Sequence, residues 1–394
     1  MFENLKALPP DAILRLIAEH RDDPRDSKID LGVGVYRDEH GNTPVMSAVK
    51  KAERWLVETQ TTKTYLGSGG DPQFNAEMQA LIFGTAETGN DRLTTLQTPG
   101  GSGSLRVAAG LILRARPNAS VWASEPTWAN HVPLLGGAGI SLQTYPYYDP
   151  ARNSIRFGEM LKALQVAPKG DIVLLHGCCH NPTGMDLDTE QWQDVARVVV
   201  ERNLIPFIDI AYQGLADGID EDAFAPRHFV GRVPELIVSA SCSKNFGLYR
   251  DRVGSLTLLS DSVATSVKVR SQAMNIVRTM YSMPPDHGAA VVQRILGDDD
   301  LRAEWTAEVD AVRKRLKDMR ALLSAALRDK APGHDFSHVE RANGMFSFLG
   351  ISAAQVEQLK RDYGVYMVDS SRINVAGITR QNVEYLAESI AAVL

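Results

Sequence analysis

The sequence predicts an α/β protein: a large domain with a mostly parallel, doubly wound sheet, and a smaller α+β domain joined to it by a long helix. Two observations lead to this prediction. Short, almost continuous apolar runs alternate with helical patterns through the middle of the chain, as is typical of strands buried on both faces of a parallel sheet. The last third instead has one long, charged helical pattern over residues 301–330, followed by short strands and helices.

Five apolar runs are the predicted strands of the large domain: VWAS (121–124), DIVLL (171–175), IPFIDI (205–210), ELIVSAS (235–241) and GSLTLL (254–259). The clearest helix between them begins at Asp188, because Gln191 stands three residues later and completes a capping box. Its inward-facing stripe is Trp192, Val195, Ala196 and Val199.

The C-terminal region after the long helix predicts a small α+β unit. Its pieces are MFSFLG (345–350), a helix from Ser352 to Gly364, VYMV (365–368), RINVAG (372–377) and a last helix. Units of this kind often close over a site on a larger domain. Periodicity leaves open on which part the N-terminal segment packs.

Composition narrows the class of protein. The chain has 394 residues with a net charge of −6, so there is no basic excess to neutralise nucleic-acid phosphates. No run of 18 apolar residues exists, and the first 20 residues, interrupted by Pro9 and Pro10, lack the features of a signal peptide. Three cysteines form no disulfide framework. We therefore expect a cytoplasmic protein that binds neither membrane nor nucleic acid.

Ligands of open α/β sheets bind beyond the carboxyl ends of the strands, so the residues there are read together. In TPGGSGSLR (98–106), Gly100, Gly101 and Ser102 precede a predicted helix over Leu105–Leu113. Backbone N–H groups and the positive end of that helix favour a phosphate, although a glycine turn without a ligand is the alternative. The dinucleotide pattern fails because Arg106 occupies the place of its last glycine.

Two further loops follow strands, SEPTWANH (124–131) and HGCCHNPTG (176–184). Trp128 could stack on a flat ring, although a tryptophan in the core is commoner. The second loop contains four metal-ligand side chains, namely His176, Cys178, Cys179 and His180. Adjacent cysteines suit one tetrahedral ion poorly, so we predict no metal. The Asn181-Pro182 pair indicates a turn that presents the Asn181 amide.

The last two strand ends carry charges. Asp209 ends the run IPFIDI, and a carboxylate there needs a partner: either a salt bridge within the protein or the protonated nitrogen of a bound ring. Tyr212 could donate to an oxygen of that ring. Lys244 follows ELIVSAS among small residues, and a partly desolvated lysine becomes a Schiff-base nucleophile. A surface lysine in a loop is the bland alternative.

A second catalytic interpretation concerns Ser241, because Ser241-Cys242-Ser243-Lys244 fits S-x-x-K, the signature of serine acyl-enzymes. That class also needs K-T-G, which does not occur. The other signals together match the demands of pyridoxal phosphate: a lysine for the aldehyde, a carboxylate for the ring nitrogen, an aromatic on the ring face and a phosphate cup. Arg252 could add a bidentate phosphate contact.

The sequence is identified here as resembling the aspartate/aromatic amino-acid aminotransferases, pyridoxal-phosphate enzymes of class I and fold type I. The motifs that carry the resemblance are TPGGSGxLR, HGCCHNPTG, DxAYQG, SxSKNFGLYxxRVG and SRINVAG, in the order that the family has them. The similarity runs from about residue 5 to the C-terminus. It implies a transaminase that works by a ping-pong ketimine/aldimine mechanism.

The resemblance implies a role for each matching residue. Lys244 holds the cofactor and moves the proton, and Asp209 binds the ring nitrogen. The other implied cofactor contacts are Tyr65 from the neighbouring subunit, Gly100, Gly101, Ser102, Trp128, Asn181, Tyr212, Ser241, Ser243 and Arg252. The implied substrate contacts are Gly34, Trp128, Asn181, Arg372 on the α-carboxylate, and Arg278 on a second carboxylate from across the interface. A homodimer with shared sites follows.

The substrate is the finer question. Arg278 favours dicarboxylic amino acids, whereas Met283 offers an apolar, adaptable surface to an aromatic ring. Val35, Arg37 and Thr43 look more like the aspartate type. We predict transfer of the amino group of aspartate and of tyrosine, phenylalanine and tryptophan to 2-oxoglutarate. A narrow aspartate aminotransferase is the alternative, and a serine acyl-enzyme on Ser241 a more distant one.

The predicted division of the chain has three parts. Residues 1–10 form an N-terminal arm, residues 11–44 and 311–394 form the small domain, and residues 45–310 form the large domain that binds pyridoxal phosphate.

Overall fold

The computed structural model describes residues 1–8 and 12–394; Pro9, Pro10 and Asp11, at the predicted boundary between arm and small domain, lie outside the described residues. The strands are β1 (Ile29–Asp30), β2 (Leu93–Pro99), β3 (Ser120–Glu125), β4 (Ser141–Pro146), β5 (Tyr148–Asp149), β6 (Ser154–Ile155), β7 (Ile172–His176), β8 (Ile205–Ile210), β9 (Leu236–Ser241), β10 (Val253–Leu259), β11 (Phe346–Phe348), β12 (Val365–Tyr366) and β13 (Arg372–Asn374).

Helices alternate with these strands. They are α1 (Ala12–Asp22), α2 (Ser47–Thr59), α3 (Pro72–Phe83), α4 (Gly100–Ala115), α5 (His131–Gly136), α6 (Phe157–Val166), α7 (Thr189–Arg202), α8 (Phe224–Val230), α9 (Val263–Met280), α10 (His287–Leu296), α11 (Asp299–Lys330), α12 (Ser337–Arg341), α13 (Ala353–Tyr363) and α14 (Val383–Val393). Short 3-10 helices cover Phe2–Asn4, Thr85–Glu87, Glu221–Ala223 and Val375–Gly377.

The central sheet has seven strands in the order β2-β10-β9-β8-β7-β3-β4. Neighbouring strands from β9 to β4 run parallel, and only β10 pairs antiparallel, with β2 on one side and β9 on the other. The predicted mostly parallel α/β sheet is therefore confirmed. Because β10 runs the opposite way, its first residue meets the last residues of the other strands at one edge.

Local sequence signals set the helix ends. Asp188 accepts from the backbone N–H of Gln191 and completes the predicted capping box of α7. Ser352 and Gln355 form a second capping box at α13, and Gly364 ends that helix in the left-handed conformation. The side-chain acceptor at each start and the left-handed residue at the end satisfy backbone groups that a helix leaves unpaired.

Two hydrophobic layers cover the faces of the sheet, and a third core lies apart. One layer packs α4 and α9 on the sheet, with Leu105, Phe207 and Val277 at its centre. The third core joins residues 29–31 to residues 319–393. Helix α11 contributes to two cores. Its residues up to Leu316 pack in the hydrophobic layer on the other face of the sheet, and those from Met319 pack in the separate core. The predicted domain boundaries stay a prediction.

The strands β2 and β4 were not expected from the sequence. Strand β2, LTTLQTP, is rich in polar residues, but Thr94 bonds Ser266 at 3.0 Å and Gln97 donates to the Pro285 carbonyl at 2.7 Å. Polar side chains that have such partners are compatible with a strand that is largely buried although it lies at one edge of the sheet. Strand β4 is an exposed edge.

The start of α4 also differs from the prediction. Gly100, Gly101 and Ser102 form the first turn of this helix instead of preceding it.

Within residues 1–8 and 12–394, no helix is long and apolar enough to cross a membrane.

Candidate active site

The site lies at the edge of the sheet where strand ends converge. His176 at the end of β7 is in register with Asp209 on β8, and Asp209 is in register with Ser239 on β9. Strand β10 starts at this edge, where Val253 faces Pro99 of β2. A cavity of about 210 Å³ opens here. Its lining includes predicted residues from separate parts of the chain: Gly34, Gly101, Ser102, Trp128, Asn181, Asp209, Tyr212, Ser241, Ser243, Lys244 and Arg252.

Lys244 projects into this cavity from the turn after β9. Its Nζ lies over the Tyr212 ring, 4.7 Å from the centroid. The next residues are fixed by α11, since Trp305 donates to the Asn245 carbonyl at 2.8 Å and stacks on Phe246 with centroids 4.4 Å apart. A rigid turn therefore carries the amine.

The electrostatic environment makes the Lys244 amine a nucleophile. Burial lowers the pKa of Lys244 to about 8 and is the largest cause; the charge of Arg252 lowers it further, while Asp209 raises it. Far more of this amine than of an ordinary lysine is therefore unprotonated near neutral pH, and the unprotonated form is the one that attacks a carbonyl.

Asp209 is a buried carboxylate with a fixed partner. It is 8% exposed, and its Oδ2 lies 3.0 Å from His131 Nε2. Burial by itself raises the pKa of Asp209, but the hydrogen bond from His131 and the nearby positive charge of Lys244 outweigh it. The pKa therefore lies below its ordinary value. Asp209 stays ionised at neutral pH and can stabilise a positive charge on a bound group.

The hydrogen-bonded network that supports Asp209, made of His131, Thr127 and His176, was not recognised from the sequence. Thr127 Oγ1 lies 2.8 Å from His131 Nδ1 and 3.1 Å from His176 Nε2. Burial, together with the charges of its histidine neighbours, lowers the pKa of His176 well below its ordinary value, so this ring is neutral. The only sequence signal was that Thr127 and His131 fall in the loop that also presents Trp128.

Glycines open the space between α4 and β10. Gly100 has φ of +71°, and a Cβ on it would lie 2.4 Å from Arg252 Nη2. A Cβ on Gly101 would lie 3.3 Å from the Ser241 Cβ. The first turn of α4, the Ser241 hydroxyl and the Arg252 guanidinium thus lie together, with unpaired helical N–H groups in the first turn. This is a cradle suited to a phosphate.

Three further side chains surround the space in front of Lys244. The Asn181 amide donates to the Tyr212 hydroxyl at 3.3 Å, and burial raises the pKa of that phenol. The Trp128 indole meets the His131 ring edge-on, with centroids 5.2 Å apart. Asn181 and Tyr212 therefore present hydrogen-bonding groups to the cavity, and Trp128 presents an aromatic surface.

Arg372 lies beside the cavity on β13. It is 9% exposed, donates from Nη2 to the Gly32 carbonyl at 2.8 Å, and stacks over the Phe346 ring at 4.4 Å. Among the described residues, its Nε has no hydrogen-bond partner. Burial lowers the pKa of this guanidinium, which nevertheless remains a cation at neutral pH. A buried arginine with an unused N–H is equipped for an anion.

Four predicted site residues are not among those that line the cavity: Gly100 and Arg372, which lie beside it, and Tyr65 and Arg278, which are exposed on this single chain. Tyr65 is 93% exposed, and Arg278 is exposed near the end of α9, where it donates to the Ser282 hydroxyl. The single chain brings together the other predicted residues but not these two.

The residues of the alternative metal and serine-nucleophile interpretations form hydrogen bonds of their own. His180 lies 3.0 Å from Ser124 Oγ and 2.9 Å from Thr183 Oγ1, so it is occupied away from the cysteines. Across the described part of the chain, the one group suited to a metal is Cys178, Cys179 and Asp222. The Asp222 carboxylate accepts the backbone N–H groups of residues 214, 216, 217 and 218. Ser241 is hydrogen-bonded to Ser243 at 3.1 Å.

A lysine, a buried carboxylate and an anion cradle at the carboxyl edge of a doubly wound sheet define a class: the fold type I transferases that depend on pyridoxal phosphate. Comparison with known proteins agrees. The family model "Aminotransferase class I and II" matches residues 26–390.

The relatives carry two kinds of name. An aspartate aminotransferase of Salmonella typhi is 47% identical, with 100% of both chains covered. An aromatic-amino-acid aminotransferase of Paracoccus denitrificans is 45% identical, again with 100% of both chains covered. The crystal structure of an aromatic-amino-acid aminotransferase from Burkholderia pseudomallei, covalently bound to pyridoxal phosphate, matches with a TM-score of 0.98, 41% identity, and 100% and 99% of the two chains covered.

The chain therefore belongs to the aminotransferase class I and II family, and it is an aminotransferase. The resemblance inferred from the motifs is confirmed. The roles of the individual site residues stay predictions.

Proposed function

We propose that this enzyme uses pyridoxal phosphate to transfer the amino group of aspartate and of aromatic amino acids to 2-oxoglutarate. The observation that carries the proposal is the Lys244 amine, with its pKa lowered to about 8, in one cavity with Asp209 and a glycine-lined anion cradle. A carbonyl cofactor with a phosphate and a basic ring nitrogen needs these three groups.

The residues present fit this cofactor. Lys244 would hold its aldehyde carbon, and Asp209 would hold the proton on its ring nitrogen. The first turn of α4, Ser241 and Arg252 would bind its phosphate. When bound, pyridoxal phosphate supplies an electrophilic carbon that captures amines and a protonated ring that accepts electrons from a neighbouring carbon.

The side chains of the protein control the proton. Once its amine is free, Lys244 is a base with a pKa near the working pH, which suits it to take the proton from the substrate α-carbon. Asp209, ionised and fixed by His131, would stabilise a positive charge on the ring nitrogen of the bound cofactor. Tyr212 and Asn181 would donate hydrogen bonds to an oxygen on the ring.

Two arginines would select the substrate. The planar guanidinium of Arg372, buried with an unpaired Nε, suits the α-carboxylate that every amino acid carries. Arg278 would bind the second carboxylate of aspartate, glutamate or 2-oxoglutarate. Met283 would contact an aromatic side chain. Full-length relatives named for aspartate and for aromatic amino acids, both above 40% identity, support a substrate range that covers the two.

A homodimer with shared active sites is part of the proposal. It is supported by the positions of Tyr65 and Arg278, which are exposed and lie outside the cavity of their own chain. A cytoplasmic location is also proposed, and the three free, buried cysteines support it. Light scattering on the purified protein tests the dimer: a monomer at micromolar concentration would rule out shared sites.

The decisive experiment is a visible spectrum of the purified holoenzyme before and after adding aspartate, and separately tyrosine. We expect a cofactor band that both substrates shift and that 2-oxoglutarate restores. Steady-state kinetics then compare the two substrates. An aromatic kcat/KM below about a thousandth of the aspartate value would exclude the dual substrate range.

A narrow aspartate aminotransferase is the second candidate. Val35, Arg37 and Thr43 favour it, as does the aspartate aminotransferase that is 47% identical over the whole chain. The same kinetic comparison separates the two candidates, because the narrow enzyme would convert aspartate and leave tyrosine and phenylalanine almost untouched.

A further inference from the structure

Asp30 has a hydrogen-bonded connection to the arginine that would bind the substrate. Its Oδ1 accepts the backbone N–H of Gly32 at 2.9 Å, and the carbonyl of Gly32 accepts from Arg372 at 2.8 Å. Its other oxygen, Oδ2, forms an ion pair with Arg37 at 2.5 Å. One carboxylate thus joins an ion pair to the backbone segment that holds Arg372.

The surroundings of Asp30 make this connection rigid. The Asp30 side chain is 5% exposed and that of Arg37 is 24% exposed, so the pair is largely shielded from water. Gly32 is tightly enclosed, since a Cβ on it would lie 2.0 Å from a Leu16 methyl carbon. Shielded, charge-assisted hydrogen bonds hold geometry better than exposed ones. The Gly32 carbonyl therefore has little freedom to move away from Arg372.

Arg372 needs this support more than most buried arginines do. Its guanidinium also stacks on the face of Phe346. Within the described residues, its Nε has no hydrogen-bond partner. The Gly32 carbonyl is thus the hydrogen-bond acceptor that fixes the plane of the guanidinium. A carboxylate that binds both N–H groups of an arginine depends on that plane.

We propose that Asp30, paired with Arg37, is a positioning residue that sets the orientation of Arg372 for the α-carboxylate. The proposal rests on the proposed function, since it assumes that Arg372 binds that group. It follows that disturbing Asp30 weakens the binding of every amino-acid substrate by the same factor, because all share the α-carboxylate. Pyridoxal phosphate binding and the chemical step should change little.

The test uses two substitutions of different severity. Asp30→Asn keeps an acceptor for the Gly32 N–H and loses the ion pair, whereas Asp30→Ala loses both. We expect Asp30→Ala to raise KM for aspartate and for tyrosine by about tenfold each, with kcat within about twofold, and Asp30→Asn to have a smaller effect in the same direction. Competitive inhibition by succinate, a dicarboxylate without an amino group, should weaken in parallel.

Asp23, which follows α1 and contacts Tyr366 of β12, provides a matched control. Its side chain is also 5% exposed and pairs with Arg25 at 2.6 Å, and it accepts from the Tyr366 hydroxyl at 2.7 Å, but it does not contact Gly32. Asp23→Asn should lower the melting temperature as Asp30→Asn does and leave KM unchanged. If both control and test variants raise KM equally, Asp30 is only structural and the proposal is wrong.

Two more variants keep the outcomes distinct. Should Asp30→Ala fail to fold, Arg37→Ala removes the ion pair while Asp30 stays on Gly32, and it should still raise KM; an unchanged KM overturns the proposal. Arg372→Lys tests the proposed function itself. If Arg372→Lys raises KM and Asp30→Ala does not, only the role of Asp30 is lost. If Arg372→Lys has no effect, the assignment of the carboxylate site fails.

Discussion

The two halves of the proposed active site are constructed differently. The cofactor half, which we define as Asn181, Asp209, Ser241 and Lys244, stands on the ends of adjacent strands of one sheet. The carboxylate half, defined as Gly34, Phe346 and Arg372, comes from short two-stranded pieces and loops near the two ends of the chain. The first half is positioned by the large sheet itself, whereas the second is positioned by contacts between distant segments.

Hydrogen bonding differs in the same way. Asp209 has His131 as a fixed partner at 3.0 Å, and Thr127 fixes His131 in turn. Arg372, by contrast, has an Nε without a partner among the residues described. Within one chain, the four residues of the cofactor half are in place before a ligand binds and only Tyr65 is missing beside them, while the carboxylate half has a free N–H and lacks Arg278.

This difference suggests a division of labour. A complete, rigid half is suited to a group that stays bound through many turnovers, because preorganised groups need no rearrangement. An incomplete half is suited to substrates that enter and leave in every cycle. Substitutions in the two halves should therefore affect different quantities: chemistry and cofactor binding in one, KM and substrate preference in the other.

The largest effect is expected for Lys244→Ala. Loss of both the nucleophile and the base should lower kcat by about 10⁴-fold or more. Exposed Lys162→Ala is the control and should retain full activity. Measurement of a single turnover with aspartate, at saturating cofactor, distinguishes slow chemistry from slow cofactor binding. Activity of Lys244→Ala within about tenfold of the parent would contradict the whole assignment of the cofactor half.

The next effect concerns the carboxylate half and depends on substrate. Arg278→Ala should lower kcat/KM for aspartate by about 10²-fold or more, because the second carboxylate loses its partner. For phenylalanine the loss should stay below about tenfold, since that side chain has no charge to pair. Arg270→Ala, exposed on the same helix α9, should affect neither substrate. Equal losses for both substrates would show that Arg278 does not recognise the second carboxylate.

A smaller effect is expected at the glycine cradle. Gly100→Ala places a Cβ where Arg252 lies, at a φ of +71°. Displacement of Arg252 should weaken pyridoxal phosphate binding by about tenfold, which equilibrium titration of the cofactor-free protein measures. Gly89→Ala is the control: its φ is +82°, but no described atom lies within 4 Å of the added Cβ. It has the same backbone strain and should bind the cofactor normally.

The sequence predicted the cofactor half better than its supporting network. Asp209, Lys244 and Asn181 lie in or after recognisable strands or turns, so chain pattern and chemistry together predicted that they meet at one edge of the sheet, where they line one cavity. His131 and Thr127 gave no such signal. Their importance comes from one hydrogen bond to Asp209 across the fold, and no spacing in the sequence encodes that contact.

The carboxylate half was even harder to predict from the sequence. Arg372 and Arg278 were assigned through resemblance to a family, because an isolated arginine is usually a surface residue. The hydrogen bond between Gly32 and Arg372, on which the role of Asp30 depends, joins residues 340 positions apart. Strand β2 was missed for a related reason, since its polar residues are satisfied by partners that only the folded chain supplies.

The smallest expected effect is a change in the stability of the cofactor-free protein when Lys244, in the cofactor half, is replaced. Burial lowers the pKa of this amine from 10.5 to about 8, so the unfolded chain binds the proton more tightly. The cost of burial is fully present below about pH 8 and disappears as pH rises toward 10.5. Lys244→Met should therefore stabilise the cofactor-free protein at pH 7, by about 1–3 kcal/mol, and should do so less at pH 10.

Thermal unfolding of both cofactor-free proteins at pH 7 and pH 10 measures this effect. Lys162→Met, at an exposed position, should show no such pH-dependent difference. If Lys244→Met destabilised the protein at pH 7, the lysine would be stabilised by its neighbours, and the amine would be a weak nucleophile at that pH. A stabilising effect would mean instead that the fold holds Lys244 at the expense of its own stability, as expected of a group kept for its chemistry.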